Sequence, residues 1–224
     1  MALILNIDTA TPAASICLSD NGRPLRVKHN DNQMDHAAWL HVAIDELMTQ
    51  GGRELSHLDA VAVTSGPGSY TGLRVAMSTA KGFCYALGIP LIAENTLTLM
   101  AFAAREQGAD SGCLLGPMID ARRMEVFTAL YTQELEPLIS PGAMVLDEQS
   151  FSAYLASRDI LFFGNGTQKW AGVSKSPRVH IIEISMHAGY LGILSYEKWN
   201  KRDFTDIVYS EPAYTKDFYT HTGK

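Results

Sequence analysis

The sequence lacks the features of secreted and membrane proteins. No stretch approaches the ~18 consecutive apolar residues that a membrane span requires. The segment from Met1 to Asp8 has no basic region of the kind that opens a signal peptide. The three cysteines, Cys17, Cys84 and Cys113, form no CxxC pair and cannot all pair with one another. We therefore expect a cytoplasmic protein with reduced thiols and no membrane partner.

Positive charge is also scarce. The 224 residues include 18 Lys and Arg against 24 Asp and Glu, so the formal net charge is −6, and no basic run occurs. Neutralising phosphates requires clustered Lys and Arg, so we do not expect the chain to bind nucleic acid by itself. Apolar residues make up 46% of the chain, which is typical of a folded protein and excludes a disordered one.

Recognisable catalytic motifs are missing as well. His36 and His41 are five positions apart, which does not fit the i,i+4 histidine pair of a helical metal site. No spacing of Ser, His and Asp indicates a catalytic triad. The sequence thus predicts neither catalytic residues nor a metal site, and we expect no intrinsic enzymatic activity.

The order of the elements predicts an α/β protein with two lobes. Three strands within Leu3–His29 precede a helix that we expect to begin after Asp35, and strands then alternate with helices as far as Arg105. Residues 106–112 are polar and contain two glycines, which indicates a lobe boundary. The second half repeats the scheme more weakly. We therefore predict an N-terminal lobe over residues 1–105 and a C-terminal lobe over residues 106–224.

The elements of the second half follow from shorter patterns. The predicted strands and helices are strands at Leu114–Ile119 and Glu125–Tyr131, a strand ending at Val145, a helix at Glu148–Ala156, a strand at Ile160–Phe163 and a helix at Ser185–Trp199.

A glycine-rich loop between a strand and a helix is the first candidate binding site. Backbone N–H groups at a helix N-terminus can face an anion, and the candidate residues here are Gly66, Gly68, Ser69, Gly72 and Arg74. The spacing matches neither a Walker A loop nor GxGxxG. The alternative is a tight loop whose glycines supply positive φ angles.

Two other turns could hold a phosphate group. Asp8, Thr9 and Thr11 follow the first strand, although an Asx-type turn would use the same residues. Asp120 and Arg122 follow a strand of the second half, and the alternative there is a turn in which the two charges neutralise each other.

The helix predicted from Gly72 to Leu87 has an unusual composition. No carboxylate occurs between Asp59 and Glu94, and the helix is apolar on most faces. Such a helix is either enclosed within its lobe or binds a partner through one of its apolar stripes. For the second interpretation, the predicted interface residues are Leu73, Ala76, Met77, Ala80 and Phe83, together with Leu40 and Ile44 of the preceding helix.

Several segments together resemble one known family. Ile7–Thr11, the loop Ser65–Arg74, Asp120–Arg122, Gly164–Gly166 and Glu211–Tyr214 occur in the order found in the TsaB (YeaZ) family of tRNA threonylcarbamoyladenosine biosynthesis, often labelled glycoproteases of the M22 class. The resemblance implies a two-lobed actin-like ATPase fold, as in sugar kinases, Hsp70 and actin, of the RNase H-like type. In that fold the first phosphate turn carries glycine where this chain has Ala10, and the catalytic relative TsaD carries an HxxxH motif that this chain lacks.

The resemblance also implies a function and partners. It implies a non-catalytic scaffold that binds TsaD and TsaE, contacts tRNA only through the complex, and forms a homodimer when alone. No tightly bound cofactor is expected, and ATP or ADP would lie at the interface of the complex. The alternative is an ATP-dependent small-molecule kinase of the same fold, and a metallopeptidase is a more distant third.

Overall fold

Two five-stranded sheets form the framework of the computed structural model, which describes residues 1–32 and 35–213. Tyr214, the last residue of the family pattern, lies outside the described residues. The elements are β1 (Leu3–Asp8), β2 (Ala14–Asp20), β3 (Arg23–Asn30), α1 (His36–Gln50), β4 (Ala60–Gly66), α2 (Tyr70–Leu87), β5 (Leu91–Asn95), α3 (Thr96–Glu106), β6 (Leu114–Asp120), β7 (Glu125–Tyr131), β8 (Pro137–Val145), α4 (Ser152–Leu155), β9 (Ile160–Phe163), α5 (Thr167–Ala171), β10 (Val179–Ile181) and α6 (Ala188–Lys201).

The two sheets have the same topology. The first has the order β3-β2-β1-β4-β5, in which β1, β2 and β3 are antiparallel neighbours and β4 and β5 add in parallel. The second has the order β10-β9-β6-β7-β8, with β6, β7 and β8 antiparallel and β9 and β10 added in parallel. This repeat confirms the predicted two-lobed α/β architecture.

Helices cover both faces of the first sheet. One face packs against α1 and α2 through Leu5, Ile7, Leu40 and Met77. The other face packs against α6 and part of α3, in a cluster of Ile4, Ala62, Leu99, Phe102 and Leu191. Because its strands are covered on both faces, β1 is buried along its whole length.

Helix α3 lies between the two sheets. Leu99 and Phe102 face the first sheet, whereas Leu97, Met100 and Ala104 pack with the second. Every residue from 99 to 104 is buried, as a helix between two layers requires. The far face of the second sheet is covered by α4, α5 and an aromatic cluster that contains Phe151, Phe162 and Trp170.

Helix α6 returns from the second half of the chain to the first sheet. Small residues allow its close approach, since a Cβ on Gly192 would lie 3.0 Å from the Cβ of Ser19. The Ser195 hydroxyl donates to Asn6 Oδ1 at 2.7 Å, and the Asn6 amide donates to Ser19 Oγ at 2.9 Å. A division of the chain at residue 106 stays a prediction, while the packing of α6 ties residues after 106 to the first lobe.

Local differences from the predicted elements have physical causes. The helix expected at Glu148–Ala156 is only the short α4, which begins after Phe151 takes a left-handed conformation with φ 62°. The last helix begins three residues later than expected because His187 caps it, accepting a hydrogen bond from the Gly189 N–H at 3.1 Å. Asp35 occupies the N-cap position of α1, but its side chain makes no capping hydrogen bond. No helix in the described ranges combines the length and apolarity needed to cross a bilayer.

The contact between α6 and the first sheet yields a stability prediction. Ser195→Ala should leave the buried oxygen of Asn6 without its donor, and should lower the free energy of unfolding by about 1–3 kcal/mol. Asn200→Ala, on an exposed position of the same helix, is the control and should change it by less than about 0.5 kcal/mol. Urea denaturation followed by circular dichroism would measure both, and equal effects would contradict the importance of this buried network.

Candidate functional site

The candidate site of the first lobe lies at the carboxyl edge of the first sheet. The parallel strands β1 and β4 end there at Asp8 and Gly66, and α2 begins just beyond. In open α/β sheets, ligands bind beyond this edge of the parallel strands. The topology therefore brings together two of the turns that the sequence singled out.

These two turns are packed directly against each other. The Ser69 N–H donates to the Ala10 carbonyl at 2.7 Å, and the Thr9 hydroxyl donates to the Gly72 carbonyl at 2.7 Å. A Cβ on Gly68 would lie less than 3.0 Å from the Ala10 carbonyl, and a Cβ on Gly72 less than 3.0 Å from the Thr9 carbonyl. Both glycines are therefore required for close backbone approach.

This geometry corrects the predicted role of the loop glycines. Gly68 and Gly72 do not have positive φ, whereas Gly66 does, with φ 113°. The N–H groups that were expected to face an anion bond within the chain: Gly72 N–H donates to Ser69 Oγ at 3.3 Å, and Leu73 N–H to the Ser69 carbonyl at 2.8 Å. Nucleotide binding itself stays a prediction.

Asp8 is buried at the end of β1. Its Oδ1 accepts hydrogen bonds from the Thr64 hydroxyl at 2.9 Å and from the Ala10 N–H at 3.1 Å. Burial raises the pKa of the Asp8 carboxyl to about 6, and these two hydrogen bonds lower it by less than burial raises it. Thr11, in contrast, bonds only locally to the Ala13 carbonyl at 3.1 Å.

The second turn cluster lies at the edge of the other sheet. Asp120 Oδ1 accepts from the Lys169 ammonium at 2.9 Å and from the Arg122 N–H at 2.6 Å. Burial alone would raise the pKa of Asp120, but these two donors outweigh it and hold the pKa below its ordinary value. Asn165 completes the cluster by accepting from the Asp120 N–H at 2.9 Å. Asp120 is thus neutralised within the protein, although by Lys169, which no sequence motif marked.

Arg122 and Arg123 occupy an unusual backbone conformation in this turn. Their φ angles are 70° and 49°, in the left-handed region that non-glycine residues rarely adopt. Both side chains are exposed. Within the described ranges, no three His, Cys, Asp or Glu side chains come together in a way that could hold a metal ion.

The predicted interface residues are mostly in the core. Leu73, Ala76, Met77 and Ala80 of α2 are at most 3% exposed. Leu40 and Ile44 of α1 are equally buried, and Phe83 packs against the same cluster. The prediction therefore chose the faces of α1 and α2 that pack on the first sheet, because hydrophobic spacing marks the core side of a helix.

The opposite side of the two helices is exposed and contains mainly small residues. We call it the α1–α2 face; its members are Ala38, His41, Val42, Asp45, Ser78, Gly82, Tyr85 and Ala86. The helices lie side by side here, with the Thr79 hydroxyl 3.5 Å from His41 Nε2. Sequence reasoning missed this face because its signal is a row of small residues rather than large apolar ones.

The glycine loop generates a paired prediction. Gly68→Ala and Gly72→Ala should each lower the free energy of unfolding by about 1–3 kcal/mol, because the added methyl group collides with a backbone carbonyl. Gly82→Ala is the matched control on the same helix, since nothing lies within 4 Å of its Cβ. That control should gain about 0.5–1 kcal/mol from helix propensity. Thermal unfolding that ranks the three variants alike would contradict the close packing.

The buried carboxyl of Asp8 yields a pH prediction. Its pKa is raised in the fold, so its stabilising contribution is full below the unfolded pKa of 3.8 and is lost as pH rises through about 6. Ionised Asp8 then costs about 3 kcal/mol at pH 8, since one pKa unit is about 1.4 kcal/mol. Asp8→Asn keeps an oxygen for both donors and should be more stable than the wild type at pH 8, with the difference vanishing near pH 4.

Urea denaturation of both proteins between pH 4 and pH 8 measures this effect. The difference between the two profiles isolates Asp8 from the histidines, whose pKa values at His36 and His187 are lowered by burial and which act with the opposite sign. Parallel profiles for the two proteins would show that Asp8 does not titrate in this range.

Comparisons with known proteins agree with this architecture. Residues 30–175 match the family model described as TsaD: tRNA N6-adenosine threonylcarbamoyltransferase. The chain is 29% identical over 181 residues to the tRNA threonylcarbamoyladenosine biosynthesis protein TsaB of Escherichia coli, covering 77% of this chain and 75% of that one. It is 34% identical over 131 residues to TsaB of Haemophilus influenzae, covering 58% of this chain and 54% of that one.

Solved structures show the same relationship. YeaZ from Pseudomonas aeruginosa has a TM-score of 0.78 at 26% identity, covering 96% of this chain and all of that one. A second structure, of an uncharacterized protein with similarity to peptidase YeaZ from Pseudomonas aeruginosa, has a TM-score of 0.84 at 25% identity and the same coverage. A glucomannokinase from Arthrobacter, at 13% identity and a TM-score of 0.50, shares the fold alone. The chain therefore has the two-lobed actin-like fold and belongs to the TsaB (YeaZ) family.

Proposed function

We propose that this chain acts in tRNA threonylcarbamoyladenosine biosynthesis as a non-catalytic subunit that binds the transferase TsaD, with TsaE as a further partner. The names of its relatives support the process. The observation that carries the subunit role is the α1–α2 face, which is exposed and has the composition of a helix-docking surface.

Exposure and side-chain size support docking at this face. Tyr85 is 86% exposed and Val42 is 58% exposed, which are high values for large apolar side chains of a monomer. Ser78, Gly82 and Ala86 follow one another at i,i+4 spacing and leave room for the backbone of a second helix. Aromatic and aliphatic anchors surrounded by small residues are typical of helix–helix interfaces.

The packing of the glycine loop supports a non-catalytic role. In the actin-like fold the first phosphate turn must leave space for a phosphate group, and here Gly68 and Gly72 pack against the Ala10 and Thr9 carbonyls instead. The same packing disfavours a small-molecule kinase. ATP or ADP, where it acts, would then bind at the interface with TsaD, and tRNA would be contacted only through the complex.

The proposal includes self-association. In the absence of TsaD, the same face should pair two copies of this chain, because an exposed apolar face tends to be covered. The homodimer and the complex with TsaD would then compete for one surface, and adding TsaD should convert dimers of this chain into the mixed complex.

A matched pair of substitutions tests the location of the interface. Val42→Glu places a charge on the α1–α2 face and should weaken binding to TsaD by roughly tenfold or more, since desolvating an unpaired carboxylate opposes association. Val145→Glu, at a position 66% exposed on β8 of the other lobe, is the control and should bind as the wild type does. Calorimetric titration with TsaD of the same organism measures both, and sedimentation measures the dimer.

The functional readout is tRNA modification by TsaD and TsaE with and without this chain. We expect modification to require the wild type and the Val145→Glu variant to replace it, whereas Val42→Glu should not. Equal affinity of both variants for TsaD would place the interface elsewhere, and modification that proceeds without this chain would contradict the subunit role.

A further inference from the structure

The segment after α6 runs along one side of α2. We call residues 203–213 the C-terminal strap. Its Thr205 N–H donates to the Leu91 carbonyl at 2.8 Å, and its Ala213 N–H donates to the Ser65 carbonyl at 2.7 Å. Between these two points the Lys81 ammonium donates to the carbonyls of Val208 at 3.3 Å and Ser210 at 3.0 Å. The strap is thus held in place at several points along its length.

A groove of about 280 Å³ lies between α2 and the strap. Met77 contributes apolar surface, and the polar groups are those of Arg74, Ser78, Lys81, Ser210 and Glu211. The two cations exceed the one carboxylate. Two of the three N–H groups of the Lys81 ammonium bond to strap carbonyls, which leaves one donor. The Ser210 hydroxyl oxygen is shielded from solvent and has no hydrogen-bond partner among the described residues.

We propose that this groove receives a carboxylate side chain, Asp or Glu, of the protein that docks on the α1–α2 face. The inference rests on the proposed function, because Ser78 belongs to both the groove and that face. Helix α2 contains no carboxylate, so its own side chains do not compete for the cationic groups. Enclosure between α2 and the strap strengthens an ion pair relative to one in open solvent.

The charge balance explains how the groove adds specificity. A partner helix that packs on small residues gains area but little register, whereas a carboxylate that must meet Arg74 and Lys81 fixes the helix along its axis. Glu211 at the same groove would repel a partner whose carboxylate is misplaced. Attraction and repulsion within one groove therefore select one alignment.

The affinity for TsaD of the same organism at low and high salt tests the proposal. Arg74→Gln should lower the affinity at low salt by roughly fivefold to tenfold and reduce its dependence on salt. Ser210→Asp places a carboxylate in the groove without altering α2, and should lower the affinity by a similar factor. Lys175→Gln removes a side chain that is 86% exposed in the second lobe, and is the control expected to bind as the wild type does.

The outcomes separate this proposal from the proposed function. Failure of the wild type to bind TsaD would overturn the proposed function. Wild-type binding combined with unchanged affinity and unchanged salt dependence in either folded groove variant would overturn the groove alone. Arg74 also stacks on the Tyr70 ring at 4.1 Å, so circular dichroism and thermal unfolding must accompany each titration. If Arg74→Gln unfolds, Ser210→Asp decides the question.

Discussion

The close backbone contact between the β1–β2 turn and the start of α2 is the constraint on which much of this structure depends. Gly68 and Gly72 allow the chain to pass the Ala10 and Thr9 carbonyls at distances that a side chain would forbid. This contact sets the position of α2 over the first sheet, and with it the outward direction of Ser78, Gly82 and Ala86. One packing event therefore fills the space that a phosphate turn would keep open and presents the docking face.

The two lobes are joined by helices rather than by a simple linker. Helix α3 has apolar side chains on both sheets, and α6 carries the chain from the second sheet back to the first. The buried network of Asn6, Ser19 and Ser195 adds directional bonds to this contact. Because the first sheet is covered by residues from both halves of the sequence, it should not reach full stability until the second half is made.

The buried carboxyl of Asp8 is a feature that stability alone does not explain. Its raised pKa means that the ionised form is held at an energetic cost near neutral pH, although an amide could accept the same two hydrogen bonds. Residues that lower stability are often retained for function. At the end of β1, beside the glycine loop, Asp8 is placed where the actin-like fold organises its ligand site.

The sequence by itself determined the element order, the repeat of the two lobes and the family, because strand alternation, helical spacing and glycine positions are local signals. It also marked Asp8, Gly68, Gly72 and Asp120 as the residues of special turns. Only the tertiary structure decided what those residues contact: carbonyl groups of the neighbouring turn at the glycines, and Lys169 at Asp120. It likewise reversed the chosen side of α2, since apolar spacing identifies the face that leaves water, whereas a face of small residues becomes visible only once the core side is known.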